Sequence, residues 1–187
     1  MRRNTARTRG TASFIGTEDI DATLWEAARL AQQSQIPVLL VGGIAMRLYG
    51  SDRMTTDVDV ASTGLPVGVR PTRLLTFGGA TILVGPKKVP LDWIVRDDAY
   101  EKVFDAAINH PISVAGIPIP VVRPEYLVLM KMIANRPKDE LDLMVLLNSG
   151  RVPRKRAAKL ARELMGEYAG DVFESLVREA DWIKSRE

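Results

Sequence analysis

No cysteine occurs in the 187 residues of this chain, and only one histidine does, His110. Disulfides, thiolate chemistry and cysteine-ligated zinc are therefore excluded. His110 stands before Pro111 in an apparent turn, a structural setting. A Ser-His-Asp hydrolase has little to work with here. No apolar stretch reaches the length of a membrane span. The start, M-R-R-N-T-A-R-T-R-G-T-A-S, is basic but lacks the apolar segment of a secretory signal. The expectation is a cytoplasmic protein, without membrane contact, whose residues 1–17 form a disordered basic arm. Internal repeats and low-complexity segments are absent as well.

What is present suits one domain, or a domain with a small helical appendix. The hydrophobic fraction of 46% is enough for a core, and the net charge is only +3. That charge is uneven. Four arginines fall in the first nine residues, and Arg151, Arg154, Lys155, Arg156, Lys159 and Arg162 cluster near the other end. Such clusters either track a phosphate backbone or form an ordinary solvated face. Leu24, Ala27, Ala28 and Ala31 recur at helical spacing and predict an amphipathic helix over 20–33. A strand-and-turn core is expected over 38–122, with Ile112 to Val122 as a hairpin or edge pair. Three or four helices should follow from Pro124, with Gly150 and Gly170 as stops.

The segment from Val38 to Val60 carries most of the chemical information. Pro37 to Val41 is a short apolar run ended by Gly42-Gly43, as in a buried strand followed by a tight turn. Ile44 to Tyr49 reads as one or two helical turns. The first N–H groups of such a helix have no partner within it and sit at the positive end of its dipole. A helix start behind glycine therefore accepts phosphate readily, although Gly-Gly alone is equally a turn without a ligand. Thirteen residues, 44–56, lie between Gly43 and Asp57. In a strand, Asp57 and Asp59 share one face while Val58 and Val60 point into the packing. Two adjacent carboxylates repel unless a cation bridges them, and Mg²⁺ is the natural candidate.

At this point the chain resembles the polymerase-beta-like nucleotidyltransferase superfamily, whose signature is a Gly-Gly or Gly-Ser turn followed at this distance by Asp-x-Asp/Glu. The fuller string, Gly42-Gly43, Ala45, Tyr49-Gly50-Ser51, Arg53-x-Thr55 and Asp57-x-Asp59, is similar to the small bacterial branch that includes abortive-infection and toxin–antitoxin nucleotidyltransferases. The resemblance covers roughly residues 36 to 148. It implies a mixed α/β (α+β) nucleotidyltransferase-type sheet flanked by helices, with a C-terminal helical bundle. The corresponding division is a basic arm at 1–17, a nucleotidyltransferase core at 18–122 and a helical subdomain at 123–187.

The superfamily places a third acidic residue on a later strand. The matching segment is Val89 to Val95, in which Asp92 is the only charge. A buried carboxylate needs a partner, here a metal or an arginine or lysine. Asp97 and Asp98 are second choices and resemble a polar helix start. Further on, Lys131 is the one charge between Tyr126 and Ala134, in a helix opened by Pro124. Without context it could simply reach solvent. The branch pattern Lys-x-x-Ala-x-Arg-x-Lys-Asp-x-x-Asp matches Lys131, Ala134, Arg136, Lys138, Asp139 and Asp142. By resemblance Lys131 contacts the triphosphate, while Asp139 and Asp142 orient basic residues around the site. Pro137 should break the helix after Arg136, and the two acids equally suit the first turn of the next one.

The implied activity is Mg²⁺-dependent nucleotidyl transfer from an NTP, with two ions held by Asp57, Asp59 and Asp92. The triphosphate would lie against Gly42, Gly43, Ser51, Arg53, Thr55 and Lys131, with Arg136, Lys138, Asp139 and Asp142 in support. The acceptor would be a tRNA 3′ end or a protein hydroxyl, a small antibiotic being able to use the same metal site, and a cognate antitoxin or toxin would be a partner. The alternative is a non-catalytic nucleotide-binding, nucleic-acid-binding or regulatory protein on the same fold.

Overall fold

A computed structural model describes residues 14–186; most of the basic arm (1–13) lies outside the described residues. The amphipathic pattern near the start becomes α1, Thr17–Ser34, ended by Gln35 in the left-handed conformation. It is followed by β1 (Val38–Val41), α2 (Gly42–Leu48), β2 (Val58–Ser62), β3 (Arg73–Leu74), β4 (Gly79–Val84) and β5 (Val89–Ile94). The remaining elements are helical: α3 (Glu101–Asn109), α4 (Pro124–Ala134), α5 (Pro137–Asn148), α6 (Arg154–Met165) and α7 (Glu167–Lys184). No described helix is long and apolar enough to cross a membrane.

The strands form one mixed sheet in the order β1-β2-β5-β4-β3. Only the β2–β5 pairing is parallel; the others are antiparallel. Its register sets Val58 beside Leu91, Asp59 beside Asp92 and Val60 beside Trp93. Side chains in register share a face. Where β2 and β5 pair, one face is therefore apolar, with Val58, Val60, Leu91 and Trp93 all buried. The other face carries the aspartates. α1 packs across β1, β2 and β5. The segment 112–122 lies at the β1 edge: Leu40 exchanges hydrogen bonds with Pro120 and Val122, and Val121 pairs with Ile112.

α4 joins the sheet to the C-terminal helices. Tyr126 to Lys131 are all buried, as expected for a helix apolar around its circumference. It packs on α3, α5 and α6, while α6 and α7 form a helical pair. The helix break at Pro137 occurs where expected, with Asn135 in the left-handed conformation and Pro137 opening α5.

Two expectations need correction. Gly170 does not end a helix; it lies inside α7, and the turn falls at Gly166, whose φ of +97° suits glycine. Gly170 serves packing instead, because a Cβ there would overlap the Arg162 side chain on α6. Asp57, expected within the strand, lies one residue before β2 begins.

Glu125, in the first turn of α4, is buried and faces Arg156 Nε of α6 at 3.2 Å. Losing that partner strands a buried carboxylate. Arg156→Ala is expected to destabilise the fold by about 1–3 kcal/mol, read as a lower urea midpoint. The added change Glu125→Gln should recover part of the loss, because the amide has less charge to desolvate.

Candidate active site

Asp57, Asp59 and Asp92 each offer a carboxylate oxygen, and the three oxygens lie within 4.8 Å of one another. The parallel register of β2 and β5 produces this, since it sets Asp59 directly beside Asp92. Asp57 joins them from the preceding turn, where Thr55 Oγ1 donates a hydrogen bond to its Oδ1 at 2.9 Å. Asp92 is held from the other side by Thr81 Oγ1, which donates to its Oδ1 at 2.5 Å. Thr81 is its cross-strand neighbour on β4. Arg73 Nη2 approaches the second Asp92 oxygen at 3.7 Å.

The glycine pair closes on this cluster. Gly42 has φ +62°, and any Cβ there would overlap the Asp59 carboxylate. Gly43 N–H points at Asp59 Oδ2 at 3.4 Å, so the start of α2 already faces an anion. A Cβ on Gly43 would press on Thr55 Oγ1. Both glycines thus let the backbone approach the acids closely. Burial pushes the Asp59 carboxyl up to about 6, reinforced by the charges of Asp57 and Asp92 and opposed by Gly43 N–H and Lys131. A carboxylate cluster that resists its own ionisation is complementary to a cation, and its oxygen-only donor set suits Mg²⁺.

All three aspartates line a cleft of about 370 Å³. Gly42, Arg73, Lys131 and Arg136 line it near the acids, and Leu75, Phe77, Ile94, Phe104, Leu127 and Met130 supply apolar walls. Arg96 also lines it, with its guanidinium among the rings of Phe77, Tyr100 and Phe104, 5.4–5.7 Å from their centres. Asp98 pairs with Arg96 and accepts the Tyr100 N–H, so it organises the approach to α3 rather than the acid cluster.

The second motif folds into a buried ion network. Lys131 Nζ donates to Asp139 Oδ1 at 2.9 Å and to Asp142 Oδ2 at 2.6 Å. Arg53 meets Asp142 through two hydrogen bonds of 3.2 and 3.1 Å. Arg136 meets Asp139 at 2.6 and 3.2 Å, and its own N–H completes a cap on the same carboxylate. Lys131, Asp139 and Asp142 are only 5%, 0% and 2% exposed. Burial pushes the Asp139 carboxyl up, but the bonds from Arg136 and Lys131 outweigh it and hold it below its ordinary value. Ser51 is buried and accepts the Arg53 N–H at 3.3 Å, while Lys138 is exposed. Ser51, Arg53, Thr55 and Lys138 do not line the cleft. Thr55 and Arg53 stand close to Gly43, which is also outside the lining, and Ser51 against Arg53.

Sequence reasoning overlooked Arg73, Thr81, Arg96 and the apolar walls. Thr81 is identified only by its register opposite Asp92, a tertiary fact. The basic run at 151–162 is largely engaged with acids or backbone: Arg154 with Asp181, Arg156 with Glu125, Arg162 with Glu167, Asp171 and Glu174, and Arg151 with the Leu48 carbonyl. His110 stacks on Tyr126, away from the acids.

No protein-family model matches the chain, and no curated protein sequence does. Solved structures do. An antigenic nucleotidyltransferase-like protein from Paracoccidioides brasiliensis aligns with a TM-score of 0.59 at 15% identity, covering 92% of this chain and 94% of that one. JHP933 from Helicobacter pylori aligns at 0.49 and 14% identity, over 92% and 94% of the two chains. The antibiotic-resistance factor ANT(2'')-Ia aligns at 0.46 and 16% identity, over 91% and 97%. The first likeness establishes a nucleotidyltransferase-like fold. A fold does not bring an activity with it.

The raised Asp59 carboxyl makes a prediction for the metal-free protein. Between its unfolded value near 3.8 and about 6 the folded state holds the extra proton, so this group's contribution to stability falls as pH rises through 6. Asp59→Asn should therefore raise the melting temperature at pH 7.5 by roughly 2–6 °C, with a smaller gain at pH 5. Differential scanning calorimetry in EDTA measures both.

Proposed function

We propose that this chain is a cytoplasmic, Mg²⁺-dependent nucleotidyltransferase that moves a nucleotide from an NTP to the hydroxyl of a tRNA 3′ end or a protein. The observation that carries the reading is the convergence of Asp57, Asp59 and Asp92 in a cleft whose other side chains are mainly basic and apolar. A fold shared with a nucleotidyltransferase-like protein supports it. The small bacterial branch that the motif string resembles supports a toxin–antitoxin or defence setting, with a cognate antitoxin or toxin as partner.

The three aspartates would hold two Mg²⁺ ions, whose chemistry is to neutralise phosphate oxygens and acidify a hydroxyl. The protein's own contribution is placement, because phosphoryl chemistry needs little covalent help. Gly42 and Gly43 bring the start of α2 to the acid cluster, where its N–H groups would meet the triphosphate. Lys131 and Arg136 face the same cleft and add positive charge. Arg53, Ser51 and Thr55 act from behind: Arg53 braces Asp142, and Thr55 aims Asp57. Asp139 and Asp142 belong to this support rather than to the substrate, and Lys138, exposed on the first turn of α5, would act only through its charge.

Asp92 is the residue best placed to receive the acceptor's proton. It lines the cleft, Thr81 engages its Oδ1, and Arg73 stands 3.7 Å from its Oδ2. The acceptor oxygen would attack the α-phosphorus, its proton passing to Asp92, as the bond to pyrophosphate breaks. The apolar walls at Phe77, Phe104 and Met130 would exclude water from the reacting groups.

Incubating the protein with each labelled NTP, Mg²⁺, total RNA and soluble protein should label one fraction and release pyrophosphate. The double variant Asp57→Asn/Asp59→Asn should lose on the order of 10³-fold in transfer. Transfer equal to wild type sinks the proposal. Tight NTP binding with no pyrophosphate released would instead mark a binding protein on the same fold.

A further inference from the structure

Three carboxylates crowd together in the cleft, yet Lys131, which also lines it, is already engaged by Asp139 and Asp142. Among the described residues, the cation at ion-pair distance from the trio is Arg73, with Nη2 3.7 Å from Asp92 Oδ2. Its seat is specific. Thr81 Oγ1 has one proton, which it donates to Asp92 Oδ1; its lone pairs then accept Arg73 Nη2 at 3.2 Å and Nε at 3.4 Å. One hydroxyl thus ties the arginine and the aspartate together.

The arginine's attachment is weak. Its side chain is 67% exposed, and it stands on the two-residue edge strand β3, whose residues are both exposed. Asp92, by contrast, belongs to β5 inside the sheet. When the ion pair separates, the arginine moves and the aspartate stays.

We infer that Arg73 is the resident counter-ion of the acidic trio, which a divalent cation displaces from Asp92 and which then binds the anionic part of the donor. This rests on the metal-site reading above and adds to it an exchange of cations. The guanidinium and an incoming metal ion compete for the Asp92 carboxylate and repel each other at that range. Arg73 lines the cleft alongside Asp57, Asp59 and Asp92, so a displaced guanidinium remains beside the place where phosphate charge would collect. There its planar fork can meet phosphate oxygens in pairs. The same residue would weaken metal binding before the donor arrives and strengthen donor binding afterwards. A purely structural arginine on an exposed edge strand does neither.

The test uses the full chain and two titrations. Mn²⁺ binding without nucleotide is followed by the electron paramagnetic resonance signal of the free ion. Binding of inorganic tripolyphosphate at saturating Mg²⁺ is followed by calorimetry. Arg73→Gln should bind Mn²⁺ about 3- to 10-fold more tightly than wild type, because one competing, partly screened charge is gone. It should bind Mg²⁺–tripolyphosphate more weakly by a similar factor. Arg73→Lys keeps the charge and should stay near wild type for Mn²⁺. Unchanged or weaker Mn²⁺ binding in Arg73→Gln overturns the inference, as does Arg73→Lys behaving like Arg73→Gln. Unchanged tripolyphosphate binding overturns the second role of Arg73. A wild type whose Mn²⁺ binding is absent, or indifferent to Asp59→Asn, overturns the metal site itself and this inference with it.

Discussion

Repulsion among Asp57, Asp59 and Asp92 is the constraint around which this end of the molecule is built. Side-by-side carboxylates on neighbouring strands cost stability unless something pays for them. The sheet could have avoided the cost by a shift of register, but Val58, Val60, Leu91 and Trp93 forbid it. A one-residue slip would turn those apolar side chains outward. The apolar face of β2 and β5 therefore forces the acids together on the opposite face. Thr55 and Thr81 fix two of the carboxylates from outside, and Gly42 gives up its side chain so that Asp59 fits.

The compensating charge is built into α4 and α5. Lys131 follows the buried run Tyr126 to Met130 of α4, where an unpaired ammonium would be very costly. Asp139 and Asp142 resolve this, and Arg53 and Arg136 complete a chain in which cations and anions alternate. Such networks stabilise little when set against hydrophobic replacements, but losing one member is expensive. Their effect here is geometric. The network joins the loop after α2, the buried α4 and the start of α5 at one point beside the cleft. The C-terminal helices are tied into the site through α4, not merely appended to the sheet.

Much of this was legible because local chemistry and tertiary role agree. Gly42-Gly43 between an apolar strand and a short helix, Asp57-x-Asp59 behind it, and a lone Asp92 in an apolar run all describe their own surroundings. Pro137 announced its helix break for the same reason. The failures share a cause too. Gly170 resembles a helix stop, and only the approach of Arg162 on α6 shows why it lies within a helix. Thr81 and Arg73 are ordinary residues until β4 pairs with β5 and sets them against Asp92. Lys131 is a different case: the motif offers it as a phosphate ligand, and in the fold it lines the cleft while its ammonium is held by two aspartates that the turn at Asn135–Pro137 brings back to it.

The sheet's two edges are finished differently, and this bears on how the molecule behaves in a crowded solution. On the β1 side, Pro120 and Val122 occupy the backbone groups of Leu40 that would otherwise be free to pair. On the other side the final strand is only two residues long, too short to template an extended partner. Neither border offers the long ladder on which strands from separate molecules add. An enzyme-like cleft can thus open at the β3 border, with its exposed Leu74, without making that border an invitation to polymerise.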